Sequence, residues 1–287
     1  MTKRAVVTGA NSGIGLATSL RLARDGFEVW AGARSDTGLA SIGQAAADAG
    51  LDSIRAVQID VTDDASVAAA FAAIQADGAV DVLVNNAGIT GAGSVEETPL
   101  DTYQSMFDTN VLGVVRCIQH VLPGMREARS GRIVNISSSS AIQSPPLMAP
   151  YATTKMAVEG ISESLQAEVA PYGIRVIAIQ AGTILTPIWG KNPPPPEDTP
   201  YPDARDFLLK VLSHQLMTSG VPAETVADVI ADAVAADAPP LRHLVGDAEH
   251  LAALHDRHGD DVVEAFFLDG EDFRHRYAEL AGIDYWA

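Results

Sequence analysis

The chain has 287 residues, 47% of them hydrophobic and 20% charged, which is enough to bury one large core and reads as a single globular α/β domain with additions. Its net charge, 19 − 37 = −18, sets it against nucleic acid and anionic membrane as partners, since both repel such a surface, and leaves a small-molecule partner open. No apolar run reaches the ~18 residues of a membrane span and MTKRAVV leads straight into a strand pattern, so a cytoplasmic protein is expected; the one cysteine, Cys117, lies on an apolar helical stretch and reads as a core residue.

Apolar, β-rich runs then alternate with helical periods. The first, Ala5–Val7, is followed by Thr8-Gly9-Ala10-Asn11-Ser12-Gly13-Ile14-Gly15 and the helical period Leu16, Leu20, Ala23. Glycines at a strand-to-helix junction permit positive φ and close approach to the backbone, and the helix N-terminus offers free N–H groups. Gly9, Asn11, Ser12, Gly13, Ile14 and Gly15 are therefore a candidate pyrophosphate site, although such turns also occur without a ligand. After the second run, Val29–Ala31, the position where an NAD-preferring dinucleotide fold carries an acid holds Ala33, followed by Arg34 and Ser35. The small residue leaves room for a 2′-phosphate, and the guanidinium supplies a charge-assisted partner worth about 1.5–3 kcal/mol. This favours NADP(H); Asp36, placed to serve the ribose, keeps NAD(H) open.

The third run, Ile54–Ile59, ends in Asp60-Val61, with Asp60 a candidate helix N-cap unless Asp63 or Asp64 fills that role. The fourth, Val80–Val84, leads into Asn85-Asn86-Ala87-Gly88, and a long helix containing Asn110 is predicted from Leu100 to Glu127. Its stripe Val111, Val114, Val115, Ile118 and Leu122, like the helix after Tyr151, carries more apolar surface than a sheet covers, which points to association of copies. Arg132–Ile136, Arg175–Ile179 and Arg242–Val245 complete the series. Seven hydrophobic strands alternating with helices predict a doubly wound parallel sheet with helices on both faces, binding ligands beyond the carboxyl ends of its strands.

After the fifth strand comes SSSAIQSPPLMAPYATTK, residues 138–155. If Tyr151 opens a helix with the period Ala157, Val158, Ile161, Leu165, Val169, the four-residue spacing puts Lys155 beside the phenol. A cation about 4 Å away at an effective dielectric of about 20 favours phenolate by about 4 kcal/mol before desolvation. The spacing alone thus predicts a Tyr151 that titrates near neutrality and exchanges protons with an alcohol or alkoxide. A lone Tyr-x-x-x-Lys also arises by chance on a solvated helix face.

Together, Thr-Gly-x-x-x-Gly-x-Gly at 8–15, Asn-Asn-Ala-Gly at 85–88, Asn110, Ser138 and Tyr-x-x-x-Lys at 151–155 resemble the short-chain dehydrogenase/reductase family in order and spacing, over about residues 3–246. The resemblance implies a Rossmann-type domain over residues 1–246 and hydride transfer between a nicotinamide and a substrate carbonyl carbon. In that scheme Tyr151 transfers the proton and Ser138 bonds the same oxygen. Lys155 lowers the phenol's pKa and binds the ribose, and the Asn110 carbonyl holds a relay water. It also implies adenine contacts from Asp60 and Val61, a ribose and nicotinamide wall of Asn86, Ala87 and Gly88, and nicotinamide contacts from Gly182, Ile184 and Thr186. Ala181 stands where the family usually has proline, which questions the stiffness of that turn. A homodimer or homotetramer is the family expectation.

Residues 187–217, with the run Pro193-Pro194-Pro195-Pro196, read as a substrate lid or a disordered loop, and the acidic stretch 247–287 as a C-terminal helical extension packed on the same domain. His250, His255, His258 and His275 lack metal-ligand spacing, so no metal is expected; Ile283-Asp284-Tyr285-Trp286-Ala287 reads as an aromatic end packed on the body or a partner subunit, or frayed. The flanks Ile142, Pro145, Pro146, Leu147, Met148, Ile184, Ile188 and Trp189 predict a lipophilic ketone, aldehyde or alcohol as substrate. The alternatives are an epimerase or dehydratase on the same site, and a dinucleotide sensor without turnover.

Overall fold

The computed structural model of the chain describes residues 2–76, 78–191, 194–268 and 270–286, so Pro193 of the proline run and the terminal Ala287 lie outside the described residues. The strands are β1 (Arg4–Val7), β2 (Glu28–Ala33), β3 (Ile54–Gln58), β4 (Val82–Asn85), β5 (Gly131–Ile136), β6 (Ile174–Ala181), the short β7 (Ile184–Leu185) and β8 (Val221–Pro222), and β9 (Arg242–Val245). Seven of them form one parallel sheet in the order β3-β2-β1-β4-β5-β6-β9, while β7 and β8 pair separately. The helices are α1 (Gly13–Arg24), α2 (Asp36–Ala49), α3 (Asp64–Gln75), α4 (Leu100–Phe107), α5 (Gly113–Ala128), α6 (Ala149–Val169), α7 (Pro202–Thr218) and α8 (Ala223–Ala235), then α9 (Ala248–His258), α10 (Asp261–Glu264) and α11 (Gly270–Ala281) in the extension.

The hydrophobic runs are continuous because each strand feeds two cores. Val7, Val84, Val134 and Ile177 join α1 and α8 on one face; their chain neighbours Val6, Leu83, Ile133 and Val176 join α3, α5 and α6 on the other. Cys117 is fully buried in the second core, and burial pushes its thiol up to about 12, as suits an inert packing residue. The sheet order reverses where β1 pairs directly with β4, Val7 beside Val84, which opens the crevice into which both the glycine turn and Asn85–Gly88 project.

The long helix predicted from Leu100 is present, but a π turn over Asp108–Leu112 joins α4 to α5 and carries Asn110 at its centre. The premise of a surplus apolar stripe on this helix is corrected. Val111, Val114 and Ile118 are buried within the chain, Val114 and Ile118 in one cluster with residues of α3 and α6, and Val115 and Leu122 are half-buried; Leu112 and Met156 are among the large apolar residues left exposed. No helix among the described residues is long and apolar enough to cross a membrane.

A third cluster joins α7 to the extension: Phe207 packs with Leu254, Val262, Phe273, Tyr277 and Tyr285. Trp286 Nε1 donates to Asp206 Oδ2 at 3.1 Å, fixing the aromatic end on α7. The segment read as lid or disordered loop is held in place. Thr199 Oγ1 donates to Glu97 Oε2 at 2.6 Å, and the same oxygen accepts from Ser94 Oγ at 2.7 Å.

Candidate active site

The glycine turn is shaped by contacts that no side chain could share. Gly9 and Gly13 have φ of 63° and 55°, a Cβ on Gly9 would lie 2.8 Å from Ala87 Cα, and one on Gly15 would run into Asn86 Nδ2 and Gly9 O. Asn86 Nδ2 donates to Thr8 O and Gly9 O at 2.9 and 3.0 Å, and the Thr8 hydroxyl accepts from the amides of Asn86 and Ala87, both at 3.0 Å. These bonds lace the ends of β1 and β4 together. Asn86 therefore clamps the turn as well as lining the crevice, and Thr8 is a supporting residue that motif reading missed, because its partners lie 78 residues away.

The crevice is a cleft of about 490 Å³ lined by Gly9, Asn11, Ser12, Gly13, Ile14, Ala33, Arg34, Ser35, Asp60, Val61, Asn86, Ala87, Gly88 and Thr186, with Thr62 and Lys191 among the further walls. Arg34 is exposed at the end of β2. Ser35 caps α2 by accepting from Gly38 N at 3.2 Å, whereas Asp36 lies in the first turn of that helix and does not line the cleft. Asp60 is not the N-cap of α3; Asp63 is, accepting from Ala65 N at 2.8 Å and Ser66 N at 3.2 Å. Asp60 Oδ1 instead accepts from Thr62 Oγ1 at 2.7 Å and Thr62 N at 3.0 Å. The Thr62 hydroxyl first, then its amide, hold the Asp60 carboxyl below the usual carboxylate range, with Arg34 and Arg116 adding to the effect. A side-chain-free diphosphate cradle, an uncrowded guanidinium and no acid at position 33 fit a phosphorylated dinucleotide.

Ile14, Asn86, Gly88, Thr186 and Ile188 also line a second, mostly apolar cavity of about 180 Å³, so the two are contiguous. Ser138, Tyr151, Lys155, Gly182 and Ile184 line it. Tyr151 lies in the first turn of α6, and Lys155 follows one turn later. Lys155 Nζ donates to Ile136 O at 2.7 Å and lies 5.6 Å from the Tyr151 ring centroid. Burial pushes Tyr151 up to about 12, against a hydrogen bond from Ser138 that pulls it down, and burial pushes Lys155 down to about 8. This corrects the expectation of a Tyr151 titrating near neutrality: with both groups buried, desolvation outweighs the attraction of the neighbouring cation, and the phenol keeps its proton.

Asn110 lines neither cavity. Its Oδ1 accepts from Ile89 N at 2.8 Å, and its Nδ2 donates to Ile89 O at 2.9 Å and Thr154 Oγ1 at 3.0 Å. The π turn thus presents a fully satisfied amide that ties the loop after β4 to α6 beside Tyr151. Of the predicted apolar flanks, Pro145, Pro146, Met148, Ile184, Ile188 and Trp189 line the cavity; Ile142 and Leu147 do not. Leu147 has φ of 62°, an uncommon value for a branched residue, and packs with Met148 and Leu208.

Ala181 continues β6, paired with Val245 of β9, and the stiffness that a proline would lend comes from Asp247. Its Oδ1 accepts from Thr183 N at 2.7 Å and its Oδ2 from Ser219 Oγ at 3.2 Å, and a Cβ on Gly182 would collide with this carboxylate. Asp247 carries no local motif, so the sequence did not flag it.

The family pattern described as short chain dehydrogenase matches residues 3–196. The chain is 34% identical over 248 residues to retinol dehydrogenase 8 of Bos taurus, spanning 83% of this chain and 79% of that one. A solved short-chain dehydrogenase from Streptomyces avermitilis matches it with a TM-score of 0.81 at 33% identity, covering 93% of this chain and 96% of that chain. A variant of actinorhodin polyketide ketoreductase solved with NADPH matches with a TM-score of 0.74 at 32% identity, covering 85% and 95%. The chain belongs to the short-chain dehydrogenase/reductase family. It is by that membership an oxidoreductase of the class acting on CH–OH groups.

Proposed function

We propose that the chain is an NADP(H)-dependent oxidoreductase that interconverts a lipophilic ketone or aldehyde and the corresponding alcohol, with Tyr151 as general acid and base. The observation that carries this reading is the meeting of Ser138, Tyr151 and Lys155 in one apolar cavity that opens into the glycine-lined cleft. The NADPH-bound ketoreductase and the retinol dehydrogenase among its relatives support the cofactor and the apolar substrate. The glycine turn would hold the diphosphate, Arg34 and Ser35 the 2′-phosphate, Asp60 and Val61 the adenine, and Tyr151 and Lys155 the nicotinamide ribose. When bound, the cofactor supplies or accepts the hydride. Tyr151, protonated at neutral pH, donates to the substrate oxygen, Ser138 bonds that same oxygen, and the Lys155 cation stabilises the phenolate left behind. Asn110 ties α6, which carries Tyr151 and Lys155, to the loop after β4, and its backbone carbonyl is assigned the relay water. NADPH oxidation against a panel of lipophilic ketones and aldehydes tests the reading; it fails if none is reduced.

Two further outcomes follow from the same site. Lys155, pushed down to about 8, is charged below that pH and neutral above it, while Tyr151, at about 12, keeps its proton throughout. The kcat/KM for reduction should therefore be level through neutrality and fall above about pH 8, as the cation that stabilises the nascent phenolate is lost. A profile that rises through that range would contradict the assignment. We also assign a cytoplasmic homodimer or homotetramer, with exposed Leu112 and Met156 at the interface. Light scattering at micromolar concentration should give a multiple of the chain mass, and a monomer overturns it.

A further inference from the structure

The apolar cavity has one wall that proton transfer does not use. Leu251, Phe266 and Tyr277 of the C-terminal extension line it together with Phe207 and Val211 of α7. Phe207 meets Phe266 and Tyr277 edge to face, with ring centroids 5.1 and 4.7 Å apart, and Phe207 and Tyr277 are 2% and 4% exposed. The wall is therefore a packed part of the fold, not a passing contact. Within it Tyr277 departs from pure packing. A phenylalanine would supply the same ring, yet this cavity-lining position carries a hydroxyl that bonds no other described residue and is not sealed from solvent. A hydroxyl open to a cavity and without a partner among the described residues finds one in what fills the cavity. Tyr285 belongs to the same aromatic cluster, its ring 6.0 Å from that of Tyr277, but does not line the cavity.

We propose that Tyr277 is a specificity-determining residue: its hydroxyl bonds a second polar group, a hydroxyl or carbonyl, on an apolar substrate whose reacting carbonyl sits at Tyr151. The substrate class is then an apolar ring system or chain oxygenated at two separate positions. This rests on the carbonyl-reduction reading of the cavity, and it gives the extension a direct part in substrate choice.

The test uses the full chain, NADP-loaded and free, with the matched probes 4-cyclohexylcyclohexanone and 4-(4-hydroxycyclohexyl)cyclohexanone. Their dissociation constants are measured by calorimetry in wild type, Tyr277→Phe and Tyr285→Phe. Tyr277→Phe should weaken the hydroxylated ketone by about 3- to 10-fold relative to the plain one, the range expected for one neutral hydrogen bond. Tyr285→Phe should leave that ratio unchanged. Equal effects of Tyr277→Phe on both probes, no effect on either, or failure of both to bind wild type overturns the proposal. NADPH consumption is followed in parallel. A ratio shift without turnover leaves the Tyr277 contact standing and removes the reductase reading; turnover without a ratio shift does the reverse.

Discussion

Tyr151→Phe should lower kcat for carbonyl reduction by about 10²–10⁴-fold, the contribution of a positioned general acid. The substitution removes only the hydroxyl. The ring stays at the start of α6, beside Met148, Leu208 and the Lys155 ammonium, so the packing of the helix N-terminus is kept. The cleft that would hold the dinucleotide is built mainly from other elements, namely the turns after β1 and β4, Arg34 and Asp60. NADPH affinity, read by fluorescence titration, should therefore change by no more than about tenfold, the loss of a single hydrogen bond to the ribose. Loss of turnover with retained binding is the signature of a group acting in the transition state. Turnover near that of wild type would sink the proton-donor assignment.

Arg34→Ala should weaken NADPH by about ten- to a hundredfold and leave NADH nearly unchanged, because of the two cofactors only NADPH carries the 2′-phosphate that the guanidinium would bond. Arg34 is exposed, so solvent screens the pair and the effect should sit near the lower bound in high salt and the upper in low salt. Ala33→Asp should go further and favour NADH, through repulsion of the phosphate and bonds to the ribose hydroxyls. The measurement is kcat/KM for both cofactors in wild type and the two variants at two ionic strengths. A wild type that already prefers NADH, or equal weakening of both cofactors by Arg34→Ala, contradicts the assignment. Asp36 then offers no simple replacement, because it lies in the first turn of α2 and away from the cleft.

The seven strands and the glycine turn were legible because their signals are local. A run such as Val82 to Val84 is apolar throughout, since successive residues enter opposite cores, and Gly9 is demanded by its own backbone angle. Ser138, Tyr151 and Lys155 were legible through spacing and resemblance, and the structure brings all three to one cavity. What was hidden depends on distant partners or on burial. Thr8 matters through Asn86, Asp247 through Gly182 and Thr183, and Tyr277 through Phe207; none of these pairs leaves a pattern in the intervening chain. The π turn at Asn110 has no periodicity signal in a helix that reads as continuous. The Tyr151 error has the same origin: spacing shows that a cation is adjacent, but only the fold shows that both groups have lost their water.

The most direct measurement follows the hydride. The chain is incubated with NADPH deuterated at the transferred position and a lipophilic ketone, and the alcohol is analysed by mass spectrometry while NADPH consumption is recorded. The account predicts one deuterium at the carbinol carbon for each NADPH consumed, with product formed about 10²–10⁴-fold more slowly by Tyr151→Phe. Product formed without net NADPH loss would identify an epimerase or dehydratase on this site, and NADPH binding without turnover of any carbonyl would identify a sensor; either result contradicts the oxidoreductase assignment.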